Sequence, residues 1–173
     1  MDEFQEFANF PGVWTRSIKK IEDSRGYFSE TFQIKSLPEK SLLFVQDSMS
    51  YSAKNVLRGM HMQIDQWQLI TIVEGKVLDV LINLDPNSKN YSDLVSLELN
   101  WNGLNQILVS PGIAHGYAVL SDSARIHYKS NVYYGETVQV GIRWDSKILV
   151  NLWPNCEWNI SDRDKKFLRL EDF

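Results

Sequence analysis

Residues 71–84 read Thr-Ile-Val-Glu-Gly-Lys-Val-Leu-Asp-Val-Leu-Ile-Asn-Leu. Two runs rich in Val, Ile and Leu, Thr71–Val73 and Lys76–Leu84, flank Glu74-Gly75, and this pattern predicts two strands joined by a two-residue turn. Working outward, Gln106–Val109 leads into Ser110-Pro111-Gly112, and a strand resumes over Gly116–Leu120. Arg125-Ile126-His127-Tyr128-Lys129 alternates apolar and polar residues, the mark of a strand with one buried face, and Val138–Trp144 repeats that form. Many short strands at short spacing, punctuated by Gly, Pro, Asn and Asp, indicate an all-β sandwich or barrel. Helical signals are few: a short turn at 36–40, and Ser161-Asp162-Arg163-Asp164, which reads as a capping box opening a helix over Lys165–Leu170.

The chain has 173 residues, which fits one domain with a single core, and there is no repeat, low-complexity stretch or linker to divide it. Hydrophobic residues make up 43% and charged residues 23%, so disorder is not expected. The net charge of −4 removes the basic footprint that nucleic-acid binding needs, and no Lys/Arg run suggests a membrane surface. Phosphate recognition would therefore fall to a few placed arginines. A single cysteine, Cys156, excludes an intramolecular disulfide and favours the cytoplasm. The acidic start Met1-Asp2-Glu3-Phe4 has no apolar core of a secretory signal, and no apolar run reaches the roughly 18 residues of a membrane helix.

Two of the three histidines stand in pointed contexts. His61 lies in Arg58-Gly59-Met60-His61-Met62-Gln63, and His115 follows a Pro-Gly turn in Pro111-Gly112-Ile113-Ala114-His115-Gly116. A base beside a guanidinium suits proton abstraction from a substrate that carries phosphate, because imidazole titrates near neutrality. A metal-binding barrel would want His-x-His at the first of these motifs. Gln63 stands at the second position, and two His with two Gln make an unusual transition-metal site, so no metal is expected.

An ordered series of motifs from Asp23 to Asp164 resembles the nucleotide-sugar 3,5-epimerases. The series runs through Asp23-Ser24-Arg25-Gly26-Tyr27-Phe28-Ser29-Glu30, Phe44-Val45-Gln46-Asp47-Ser48-Met49-Ser50, Leu57–Gln63, Glu74–Val80, the Pro111–Gly116 turn, and Tyr128-Lys129 with Tyr133-Tyr134. Trp144-Asp145, Trp153-Pro154 and Ser161 with Asp164 complete it. The resemblance implies a cupin-type β-barrel (jelly roll) with short peripheral helices, a homodimer whose N-terminal strands cross to the partner, a nucleotide-sugar substrate, and no metal or organic cofactor.

The resemblance also distributes roles. Inverting a carbon beside a ketone needs a base on one face, an acid on the other, and help for the enolate oxygen. His61 matches the base, Asp164 the carboxylate that orients it, and Tyr133 the opposite-face acid. His115 matches a residue near the keto oxygen, Arg25 and Arg58 the diphosphate clamps, and Glu30, Gln46 and Ser50 fall in segments that contact the substrate. One departure matters. Where the family carries Lys-Leu-Val after the base, this chain has Gln68-Leu69-Ile70. An amide can donate a hydrogen bond to the enolate but cannot neutralise its charge. The family's arginine after the following strand is also replaced, by Asp85.

Overall fold

The computed structural model describes residues 3–8 and 10–173, so Met1 and Asp2 of the acidic start lie outside the described residues. Among the described residues thirteen strands follow one another: β1 (Gln5–Glu6), β2 (Val13–Arg16), β3 (Ile21–Asp23), β4 (Gly26–Phe28), β5 (Gln46–Ala53), β6 (Leu57–Gln63), β7 (Gln68–Glu74), β8 (Lys76–Asn83), β9 (Leu94–Asn100), β10 (Gln106–Val109), β11 (Ile113–Val119), β12 (Ser123–Ser130) and β13 (Gln139–Gly141). They form two antiparallel sheets, β1-β2-β10-β7-β12-β5 and β13-β6-β11-β8-β9, with β3-β4 as a separate hairpin. Between β5 and β8, and again from β10 to β12, the chain changes sheet at every step. This is the all-β, cupin-type jelly roll that the sequence led us to expect.

The predicted turn at Glu74-Gly75 therefore does a different job. It is a corner that carries the chain from one sheet (β7) to the other (β8), not a hairpin within a sheet. Gly75 sits at φ +79° with the Ser123 carbonyl packed where a Cβ would be, so only glycine makes the corner.

Three layers of apolar side chains explain the strand patterns. Ile70, Ile72 and Ile126 of one sheet meet Val77, Leu81, Leu99 and Tyr117 of the other in the central core. On the outer face of the second sheet, Val80 and Ile82 pack beneath Ile142, Leu149, Trp153 and Ile160 of the C-terminal segment. β8 is thus buried on both faces, which is why its sequence is a continuous apolar run. Leu69 and Leu108, on the outer face of the first sheet, are covered by Leu37 and Leu42 with Phe32 and Phe44.

The C-terminal elements depart from expectation. The strand foreseen over Val138–Trp144 is confined to Gln139–Gly141. The helix foreseen over Lys165–Leu170 is a 3-10 turn, Asp164–Lys166, followed by extended chain in which Leu168 bridges Ile142, then a second 3-10 turn at Leu170–Asp172. Half of the capping box forms, since the Asp164 N–H donates to Ser161 Oγ at 3.1 Å. The reciprocal half does not, because the Asp164 carboxylate is used elsewhere. The turn expected at 36–40 is present as a bend and turn over 38–41, closed by the Leu42 N–H on the Glu39 carbonyl, and a 3-10 turn over Ile34–Ser36 precedes it. Among the described residues, no helix is long and apolar enough to cross a membrane.

Candidate active site

β6 and β11 pair so that His61 and His115 are directly opposite, and both project into the barrel. This requires close approach of the two strands. A Cβ on Gly59 (φ +123°) would lie 2.5 Å from the Gly116 Cα, so the glycines of Arg58-Gly59-Met60-His61 and His115-Gly116 are a packed pair. Toward this end of the barrel the inward positions turn polar: Gln63, Gln68, Ser50 and Ser130 join the two histidines around a cavity of about 310 Å³. Burying an aliphatic side chain at such a position would contribute about 1.5–3 kcal/mol, so several polar residues here give up stability that a core would keep.

His61 is held on two sides. Its Nε2 lies 2.9 Å from Asp164 Oδ1, and its ring meets the Phe167 ring edge-on at 5.7 Å. Asp164 is 2% exposed and accepts a second bond from the Gly59 N–H at 3.2 Å. Arg163 adds its Nε, 3.3 Å from Asp164 Oδ1, and its Nη2 stands 3.0 Å from His61 Nε2. A carboxylate oxygen can only accept and a guanidinium N–H can only donate, so the two contacts on Nε2 compete. The buried carboxylate, which water cannot serve, wins the Nε2 proton, while the half-exposed Arg163 can turn its N–H groups to the carboxylate and to water. That tautomer leaves Nδ1 with a free lone pair, and Nδ1 has no protein partner among the described residues. Burial pushes the Asp164 carboxyl upward, but the His61 bond and charge, the Gly59 N–H and Arg163 outweigh it and hold the carboxyl at about 2. The pair is therefore an oriented base backed by an anion that can balance an imidazolium.

A hydroxyl chain links the two sheets. Ser50 Oγ bonds the Tyr117 and Tyr128 hydroxyls at 3.1 and 3.2 Å, and Ser52 Oγ bonds Tyr117 at 2.9 Å. Arg58 Nε donates to Ser52 Oγ at 2.9 Å and its Nη2 to the Tyr51 carbonyl at 3.1 Å. These two bonds give Arg58 protein partners, and both are neutral. Among the described residues it has no carboxylate within ion-pair reach, and its exposed guanidinium at the pocket mouth is available to an anionic ligand. Burial pushes the Tyr128 hydroxyl well above its ordinary range, so it remains a neutral donor and acceptor.

Of the residues singled out from sequence, His61, His115, Arg58, Gln46, Ser50 and Gln68 line this one cavity, and Asp164 lies directly behind His61. Arg25 and Glu30 are not brought into it. Arg25 sits on the exposed β3-β4 hairpin, 2.6 Å from Asp23, and Glu30 accepts from Gln33. Tyr133 follows β12, is 53% exposed and lies outside the cavity wall, whereas Tyr134, whose N–H bonds Gln46 Oε1 at 2.7 Å, contributes to that wall. Gln68 is also differently engaged than expected. Both of its amide N–H groups go to neighbouring glutamines, Gln66 Oε1 at 2.8 Å and Gln63 Oε1 at 3.3 Å, so neither is offered to a substrate oxygen.

Sequence reasoning missed Asp79 and Arg163. Asp79 is fully buried, pairs with His115 (Nδ1 to Oδ2, 3.4 Å), and was detectable as the one charge inside the apolar run of β8. Arg163 carried no such signal beyond its place beside Asp164. Among the described residues no group of three or more His, Cys, Asp or Glu side chains is disposed to hold a metal ion.

A cupin-type barrel that orients an imidazole against a buried carboxylate inside a polar cavity defines an acid–base enzyme of the sugar-epimerase class. The model of the dTDP-4-dehydrorhamnose 3,5-epimerase family matches residues 8–172, and the chain belongs to that family. It is 35% identical over 175 residues to dTDP-4-dehydrorhamnose 3,5-epimerase of Shigella flexneri, covering 96% of this chain and 97% of that one. The Methanothermobacter thermautotrophicus enzyme of the same name is 35% identical over 157 residues, 87% of this chain and 85% of its own. Among solved structures, dTDP-6-deoxy-D-glucose-3,5-epimerase of Legionella pneumophila, in complex with dTDP-4-keto-L-rhamnose, superposes with a TM-score of 0.88 at 31% identity, covering 98% of this chain and 93% of that one.

Proposed function

We propose that this protein epimerises a nucleotide-linked 4-keto sugar, removing a proton from a carbon beside the ketone and returning it on the opposite face. The observation that carries the reading is the His61–Asp164 pair, oriented so that Nδ1 is the free basic atom, in the same cavity as His115. Nδ1 takes the proton, Asp164 balances the imidazolium, and Arg58 binds the diphosphate at the mouth. Tyr133 is the proposed acid, reaching the cavity by a movement of the loop after β12, with Tyr134 already at the wall as the alternative donor. The position of Arg25 and Glu30 on exposed N-terminal structure supports a homodimer in which they serve the partner's nucleotide site. A cytoplasmic enzyme acting without metal or organic cofactor completes the reading.

Incubation with a panel of 4-keto nucleotide sugars in D2O, read by NMR, tests it. Deuterium entering C3, C5 or both is expected, and no exchange with any of them would make the protein a binder that has lost catalysis. A second reading, inversion at one carbon only, is favoured by the engaged amide of Gln68, which narrows the enolate site; exchange restricted to one carbon would establish it.

A further inference from the structure

A single directed line of hydrogen bonds crosses the cavity wall, and its direction is fixed at one end by the backbone. Gln66 Nε2 faces the Val132 carbonyl at 3.3 Å, and a carbonyl can only accept. The Gln66 amide is thereby oriented with Oε1 toward Gln68, which must present its Nε2 at 2.8 Å. Gln68 then has Oε1 facing His115 Nε2 at 3.1 Å, so that nitrogen must carry a proton. On the other side of the ring, Nδ1 lies 3.4 Å from Asp79 Oδ2, a contact between two lone pairs unless a second proton lies between them. Asp79 is fully buried and its Oδ1 has no partner among the described residues, so nothing nearby compensates a carboxylate there except His115. Burial pushes the Asp79 carboxyl upward against the opposing pull of His115.

From this geometry we infer that Gln68, aligned by Gln66, fixes His115 as an Nε2–H donor, and that Asp79 behind it is the reservoir for a proton relayed to the substrate's enolate oxygen. This rests on the epimerase reading and adds to it how the site works without an ammonium at position 68. The substrate oxygen takes over the Nε2–H now bonded to Gln68. As His61 Nδ1 removes the α-proton, the C–H electron pair becomes the C=C bond and the carbonyl π pair moves to oxygen. Oxygen takes the Nε2 proton, and Nδ1 takes the proton shared with Asp79 Oδ2. The products are a neutral enol, a neutral His115 protonated at Nδ1, an Asp79 carboxylate, and a His61 imidazolium against Asp164. Reprotonation of carbon reverses the relay.

Two measurements decide it. The 15N chemical shifts of His115 in the substrate-free protein report which nitrogen is protonated, whatever the activity. Protonation at Nε2 is expected, and a ring protonated at Nδ1 alone overturns the relay. Asp79→Asn keeps a donor toward Nδ1, and hence the Nε2–H form, but has no proton to give. It is expected to leave the His115 Nε2 signal and KM within about threefold and to lower kcat by about 100-fold or more, the scale of a lost oxyanion donor. A kcat within threefold of wild type refutes the reservoir. If that variant does not fold, a proton inventory of the wild-type reaction in H2O–D2O mixtures replaces it: a bowed curve supports two relayed protons and a straight line overturns them. Nε2 protonated with no α-exchange in wild type would instead refute the epimerase reading and leave the hydrogen-bond line standing.

Discussion

Replacing Asp164 with Asn removes one charge and forces a choice between two bonds. The carboxylate now accepts from both His61 Nε2 (2.9 Å) and the Gly59 N–H (3.2 Å). An amide has one acceptor atom. If that atom faces His61, the Gly59 N–H is left against an NH2 in a buried site, at a cost of about 1–3 kcal/mol. If it faces Gly59, both buried groups are satisfied and only the exposed Arg163 Nε–H loses its acceptor, to water, but the NH2 donates to Nε2 and drives the His61 proton to Nδ1, the atom proposed to receive the substrate's proton. The second arrangement is lower in energy, so Asp164→Asn should fold and fail. A mis-set tautomer together with an unbalanced imidazolium is expected to lower kcat between about 10² and 10⁴-fold. Stability changes in a pH-dependent way. With its carboxyl held at about 2 in place of 3.8, the folded state gains on the order of 2 kcal/mol from the ionised group. Because the folded value is the lower one, that gain is complete above about pH 4 and disappears as pH falls through about 2. Urea unfolding of both proteins at pH 7 and between pH 5 and 3 should show the gap closing with acidification, and deuterium wash-in measures the chemistry. Exchange within tenfold of wild type in Asp164→Asn, or a stability gap independent of pH, would refute the argument.

Arg58→Ala should weaken binding of free nucleoside diphosphate by about 1.5–3 kcal/mol by calorimetry, the scale of a hydrogen bond to a charged group, while unfolding stays near wild type because the guanidinium is exposed. Tyr133→Phe should retain α-proton exchange but not inversion; if Tyr134→Phe gives that phenotype instead, the residue already at the cavity wall is the acid. Gly59→Ala combines φ +123° with a Cβ 2.5 Å from the Gly116 Cα, so a loss above about 3 kcal/mol, or no folded protein, is expected by thermal melt.

Where a strand's pattern depends only on its own two faces, the sequence was readable. β7, β10 and β12 lie close to the positions that their apolar content foretold, and β8 does so because both of its faces are covered. Which sheet each strand joins was not readable, since Glu74-Gly75 looks the same whether it folds a strand back or carries it across; the deciding contact, Gly75 against the Ser123 carbonyl, is 48 residues away. The C-terminal helix failed for a related reason. A capping box needs its acid for the helix start, and Asp164 spends that carboxylate on a histidine 103 residues earlier in the chain. The tertiary partner won because a buried carboxylate between an N–H and an imidazole gains more than an exposed cap.

The same competition explains the site. Arg25 and Glu30 carry motif positions as clear as that of His61, yet they occupy exposed structure while His61 is drawn into a cavity. A motif names residue types at a spacing but not where the fold carries them. What fixes the cavity's two histidines is the pairing of β6 with β11. The register that sets His61 opposite His115 also brings Gly59 against Gly116 and puts Asp79, on the next strand, within reach of His115. A slip of β6 by one residue would turn His61 out of the barrel, away from His115, and drive Met60 and Met62 into it. The glycine pair forbids that slip, because any other alignment would place side chains where only two bare backbones fit. The residues that look least chemical in the two histidine motifs are therefore the ones that hold the acid–base groups in place.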